Sequence, residues 1–203
     1  LGLWGSLAHE NIAKLLGSAL VNDTPSVITE RCNGGNIAQY LKKNPTANRR
    51  NLVLDAAKGL QYLHSHLPPI CHGDVKSNNV LVDDGKVKLG DIGILEFLET
   101  RGVGAGMHGK TGDARWTAPE VLEGQGHQWS SDVYSFGCLA LFILRDMLPY
   151  ATLKADATVL QAIYRGELPI DRHSGSSLDP TWKLCWTQDL QRRPTMSTIL
   201  ESV

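Results

Sequence analysis

No apolar run in this chain of 203 residues is long enough to cross a bilayer. The longest, Phe136 to Leu144, has nine residues with Gly137 inside it, about half of what a spanning helix needs. Charge of one sign is also lacking: 20 Lys and Arg stand against 21 Asp and Glu, a net charge of -1. That balance gives no basic field to draw in nucleic acid or an anionic lipid surface. Cysteine is scarce, and Cys32, Cys71, Cys138 and Cys185 form no CxxC pair. Such spacing argues against a zinc site or a disulfide framework and for a reduced, cytoplasmic setting. The first residues, Leu1-Gly2-Leu3-Trp4, carry no basic head followed by an apolar stretch, so they do not read as a secretory signal, and the missing initiator Met suggests a fragment. Repeats and low-complexity stretches are absent as well. What remains, 42% hydrophobic residues, suits one buried core.

Lys14–Val21 and Ser26–Glu30 are short apolar runs around Asn22-Asp23-Thr24-Pro25, a strand–turn–strand pattern. Asn36 is placed to cap a short helix through Lys43. Leu52, Val53, Ala56, Ala57, Leu60 and Leu63 recur at helical spacing and predict a helix of about five turns, stopped by Pro68-Pro69. Residues 79–82 and 86–89 flank Asp83-Asp84-Gly85, a hairpin signal in which those acids serve only the turn. Residues 96–113 read as an exposed loop, and helices are expected at 130–146, 155–165, 178–187 and from 195 onward. Two hairpins followed by helices predict a mixed α+β domain dominated by helix.

The segment Cys71-His72-Gly73-Asp74-Val75-Lys76-Ser77-Asn78-Asn79 sets a Lys two residues and an Asn five residues after an acid, with Asp91-Ile92-Gly93 following. Phosphoryl transfer from a nucleotide needs such a set: a carboxylate to orient the attacking hydroxyl, metal ligands, and positive charge on the moving group. The segment resembles the catalytic loop of protein kinases. Asp91-Ile92-Gly93 resembles their metal-binding motif, and Ala118-Pro119-Glu120 the end of their activation segment. Asp132 to Gly137 and Arg193-Pro194-Thr195 extend the resemblance over the whole chain.

The resemblance implies a protein-kinase-like α+β fold: one domain over 1–203, with 1–30 a remnant of the small-lobe sheet and hinge and 31–203 the helical large lobe. It implies Asp74 as base, Lys76 on the γ-phosphate, and Asn79 and Asp91 as magnesium ligands. ATP and Mg2+ are the implied cofactors and a protein the implied substrate, with no nucleic acid and no membrane segment; the oligomeric state is left open. Thr29 falls at the gatekeeper. Glu30 and Cys32 would meet the adenine edge, Asn36 the ribose, and Leu81 the adenine floor. His72, Asp132, Glu120 and Arg193 would be structural, the last two as a buried ion pair.

Lys76 after the base and Arg115-Trp116-Thr117 follow the serine/threonine pattern of the tyrosine-kinase-like group. Gly73 stands where an Arg is usual, which weakens the expectation that Thr100 or Thr111 acts as a phosphorylation switch. Ile92 replaces a Phe, and Asp113 a Thr; a carboxylate at 113 would pair with Lys76 and repel Asp74. A glycine-rich loop, a strand Lys and a helix Glu are not found before Leu1, so the chain alone is expected to bind ATP weakly and to turn over poorly. Two alternatives stay open, a non-catalytic scaffold and a small-molecule phosphotransferase.

Overall fold

The computed structural model describes residues 2–94, 113–170 and 180–202. After a single helical turn, α1 (Gly2–Gly5), the chain forms an antiparallel hairpin of β1 (Leu15–Val21) and β2 (Thr24–Thr29). Val21 pairs with Thr24, so the turn is Asn22-Asp23 alone, both at positive φ (48° and 60°). That is the turn hand that matches strand twist. The four-residue turn expected from the sequence is therefore too long, and Pro25 lies inside β2 opposite Leu20. A two-stranded ribbon consists of edges, where a proline removes little hydrogen bonding.

A second sheet holds β3 (Gly35–Asn36), β4 (Val80–Asp83) and β5 (Lys86–Leu89), in that order and antiparallel. The turn between β4 and β5 is Asp84-Gly85, so Asp83 belongs to the strand. The segment before β1 is tied to β5: Leu89 N–H donates to Asn11 (2.9 Å) and Ala13 N–H to Leu89 (2.8 Å).

The helices are α2 (Ile37–Lys43), α3 (Arg49–His64), α4 (Pro119–Leu122), α5 (Trp129–Arg145), α6 (Asp156–Tyr164), α7 (Pro180–Leu184) and α8 (Met196–Ser202). Asn36 caps α2 and Asn48 caps α3, each side chain accepting a backbone N–H three residues on. The apolar stripe of α3 is buried against β5, α5 and α8; truncating a core leucine such as Leu60 to Ala costs about 2–5 kcal/mol. Gly59 permits this approach, because a Cβ there would lie 2.8 Å from the Asn11 carbonyl oxygen and 2.9 Å from Leu89. α5 is buried along most of its length, from Ser130 to Ile143, and forms the spine of the core. A smaller cluster of Ala114, Tyr150, Val159, Ala162 and Ile163 seats a 3-10 turn, Asp113–Trp116, against α6.

Candidate active site

Residues 70–79 link α3 to β4 with almost no regular structure, so side chains must hold their shape. Asp132, in the first turn of α5, reaches into this loop from full burial. Its Oδ2 accepts His72 N–H (2.7 Å) and its Oδ1 accepts Gly73 N–H (2.9 Å). His64 Nε2 lies 3.0 Å from the same Oδ2. Burial, the largest influence, pushes this carboxyl upward, but the His64 hydrogen bond, the His64 and His72 charges and the Gly73 amide together hold it below its ordinary value. Gly73 sits at φ +81°, and a Cβ there would meet the His127 ring at an ordinary 3.6 Å. The objection to a larger residue at 73 is therefore conformational, about 1–2 kcal/mol, rather than a clash.

The loop so fixed brings together the residues singled out in the sequence. Asp74 Oδ2 lies 2.9 Å from Lys76 Nζ and accepts Asn79 Nδ2 at 2.7 Å. Asn79 Nδ2 also donates to the Asp74 carbonyl (2.9 Å), and Asn79 is itself buried. The β4–β5 hairpin then returns the chain to the same place: Gly90 N–H donates to Asn79 O (2.9 Å) and Gly93 N–H to His72 O (3.0 Å). Between them stands Asp91, at φ 57°. Burial pushes its carboxyl above the ordinary value; His72 opposes that shift, Asp74 adds to it and Lys76 opposes it. An acid pushed upward beside a second acid is a place where a cation would be welcome. Buried His72 is pushed the other way, toward neutral imidazole, and its Nδ1 accepts Asp74 N–H (3.3 Å). Ile92 is buried in the core.

Thr29, Glu30, Cys32, Asn36 and Leu81 lie along the join between the two sheets. Asn36 pairs with Leu81 in the β3–β4 register, and the Asn36 carbonyl oxygen of the side chain is committed to capping α2. Glu30 N–H donates to Lys14 O (2.9 Å), which leaves its carbonyl as the Glu30 backbone group for a ligand edge. Its carboxylate, unremarked in the sequence, bonds Lys88 Nζ (2.8 Å) and Lys14 N–H (2.9 Å). Burial opposes ionisation at Glu30, but those donors hold its carboxyl below the ordinary value. Asp83, expected to serve only its turn, accepts Asn33 N–H through Oδ1 (3.0 Å). These bonds fasten residues 30–34 to the β4–β5 hairpin.

The sequence profile of the protein tyrosine and serine/threonine kinase family matches residues 2–203. The chain belongs to that family. It is 34% identical over 200 residues to the probable serine/threonine-protein kinase drkD of Dictyostelium discoideum, covering 96% of this chain and 15% of that protein. It is 31% identical to the serine/threonine-protein kinase STY17 of Arabidopsis thaliana (95% of this chain, 34% of that protein). With the Arabidopsis serine/threonine-protein kinase CTR1 it shares 30% (96% and 24%). The chain thus spans between 15% and 34% of the length of these relatives. The mixed architecture above is the kinase-like α+β fold of the family.

In this kinase domain the segment from Asp113 onward is anchored by charge. Arg193 donates to both Glu120 oxygens (2.6 and 2.9 Å), to Ser130 O (3.0 Å) and to Thr187 O (2.9 Å), with its guanidinium 5.2 Å from the centre of the Tyr134 ring. Ser131 Oγ completes the carboxylate shell at 2.8 Å. Arg115 donates to three carbonyls, those of Pro149, Tyr150 and Leu153. Thr100, Thr111 and the Asp113 side chain, and with it the expected contact between Asp113 and Lys76, lie outside the described residues.

Proposed function

We propose that this domain transfers the γ-phosphoryl group of Mg-ATP to a serine or threonine hydroxyl of a protein, as a member of the tyrosine-kinase-like group. Residues 1–30 are read as small lobe and hinge and 31–203 as large lobe. The observation that carries the reading is the convergence of Asp74, Lys76 and Asn79 within direct hydrogen-bond distance, with Asp91 close enough to feel two of them. Asp74 orients the attacking hydroxyl and takes up its proton. Lys76, already beside that carboxylate, offers positive charge to the transferred group. Thr29, the Glu30 carbonyl, Cys32, Asn36 and Leu81 hold the nucleoside.

The donors fit a hard cation. Asn79 Nδ2 is spent on Asp74, so Oδ1 is the atom it can offer, and Asp91 supplies a half-buried carboxylate that gains from a positive neighbour. Magnesium takes one or two protein ligands and completes its shell with phosphate and water, a demand that Asn79 Oδ1 and the Asp91 carboxylate could meet. Asn79 and Asp91 would hold magnesium, whose positive charge would offset the negative charge developing on the phosphoryl group. We place the protein in the cytoplasm on its few, widely spaced cysteines. No helix among the described residues is long and apolar enough to cross a membrane.

The decisive experiment compares Asp74→Asn with the unaltered protein that carries this domain, following labelled phosphate from ATP into a generic protein substrate and into an aminoglycoside and choline panel. Loss of a general base lowers turnover about 10²–10⁴-fold. Unchanged protein phosphorylation by the variant defeats the mechanism, and transfer only to the small molecules defeats the substrate class. Nucleotide binding without any transfer returns the domain to a scaffold role.

A further inference from the structure

A cleft of about 580 Å3 opens between the C-terminal half of α3, the loop carrying His9, and the first turns of α5 and α8. It shares no lining residue with the Asp74 cluster, and its volume is within the range of about 300–1,000 Å3 typical of small-molecule sites. Its aromatic wall is fixed before any ligand arrives. The Tyr62 hydroxyl accepts Ala8 N–H (3.2 Å), and the ring is held between a stacked His9 (4.7 Å) and an edge-on His66 (4.9 Å). Trp129 faces the cleft from α5. The lining includes Lys58 and His9 but no Asp or Glu. Lys58 is half-exposed, and its contact with Asp55 is a loose 3.6 Å, so its ammonium can turn to the cleft. His9 Nδ1 accepts Asn11 N–H (3.0 Å), and burial favours its neutral form, so the ring carries its proton on Nε2 as a donor. Glu10, the nearest acid in sequence, is already paired with Lys86 (2.9 Å).

We propose that this cleft binds an aromatic carboxylate, with its ring against Tyr62 and Trp129 and its carboxylate at Lys58 and His9. The wall that receives it also includes His64, whose Nε2 bonds the same Asp132 oxygen that accepts His72 N–H. Occupancy is therefore felt at His72 and Gly73 through one carboxylate. Nothing in this depends on phosphoryl transfer; a chain without turnover would bind the ligand equally well.

The test titrates 2-naphthoate into the 203-residue chain and follows 15N NMR signals. Saturable shifts are expected at the Trp129 indole N–H and at the His72 and Gly73 amides. Affinity should fall about five-fold for uncharged 2-naphthamide and for Lys58→Gln, the scale of one exposed charge contact. Ser65→Trp, which fills the cleft from an exposed position, should abolish the shifts. Equal affinity for acid and amide overturns the proposal. So does binding that survives Ser65→Trp, a Trp129 shift with none at His72 and Gly73, or no saturation below about 10 mM, a limit weaker than any useful site.

Discussion

Replacing Asp132 by Asn removes one charge and almost no volume, so its effect reports on hydrogen bonding and charge rather than on packing. The wild-type carboxylate accepts on both oxygens, from His72 and His64 on one and from Gly73 on the other. An amide has one acceptor oxygen. Whichever way it turns, its NH2 faces at least one N–H, and the less costly choice strands Gly73. A buried donor left unsatisfied costs about 1–3 kcal/mol, and the two remaining bonds lose charge assistance worth roughly 1 kcal/mol each. The sum is about 3–5 kcal/mol, which in a chain of this size lowers Tm by about 6–20 °C. Calorimetry at pH 7 measures it, and amide exchange at His72 and Gly73 should accelerate in step. The carboxyl is held below its ordinary value, so this contribution is present above the unfolded value near 4 and is lost as pH falls through the lower folded one. The gap between wild type and variant should therefore shrink below about pH 4. A Tm change under about 2 °C with unaltered exchange at both amides would refute the reasoning.

Arg193→Met leaves Glu120 as a naked buried carboxylate and should cost about 3–5 kcal/mol in urea unfolding, while Glu120→Leu combined with Arg193→Met should cost less than that single change. His72 is held neutral by burial, so the unfolded chain takes up a proton near pH 6.5 that the folded chain refuses. Stability should fall as pH drops through and below that value, and His72→Asn should flatten the slope between pH 7 and 5. Asp91 is pushed upward, so its ionised form works against the fold above the ordinary carboxyl value. Asp91→Asn should raise the Tm at pH 7 and abolish the further rise that Mg2+ with ATP gives the unaltered chain, both read by thermal scans.

Local chemistry was legible in the sequence. The stripe on α3, the Asn36 cap and the Asp84-Gly85 turn are encoded within a few residues of where they act, and Asp74, Lys76 and Asn79 share one short loop. Asp91 could be joined to them only through the likeness to kinases, because its arrival depends on how the β4–β5 hairpin folds back. The misses are all long-range or marginal. Pro25 was assigned to a turn on composition, though an edge strand tolerates it; β3 is too short for any periodicity. The contacts of His64 with Asp132 and of Glu30 with Lys88 span 68 and 58 residues. The only prior hint for the second was a pair of opposite charges on two elements both expected to border the nucleotide slot.

The guanidinium clamp on Glu120 joins positions 73 residues apart. A ribosome adding about 5–20 residues per second needs roughly 4–15 s to travel between them. Throughout that interval the α4 segment exists without its latch, exposed to chaperones and proteases, and it settles only once Arg193 has been added.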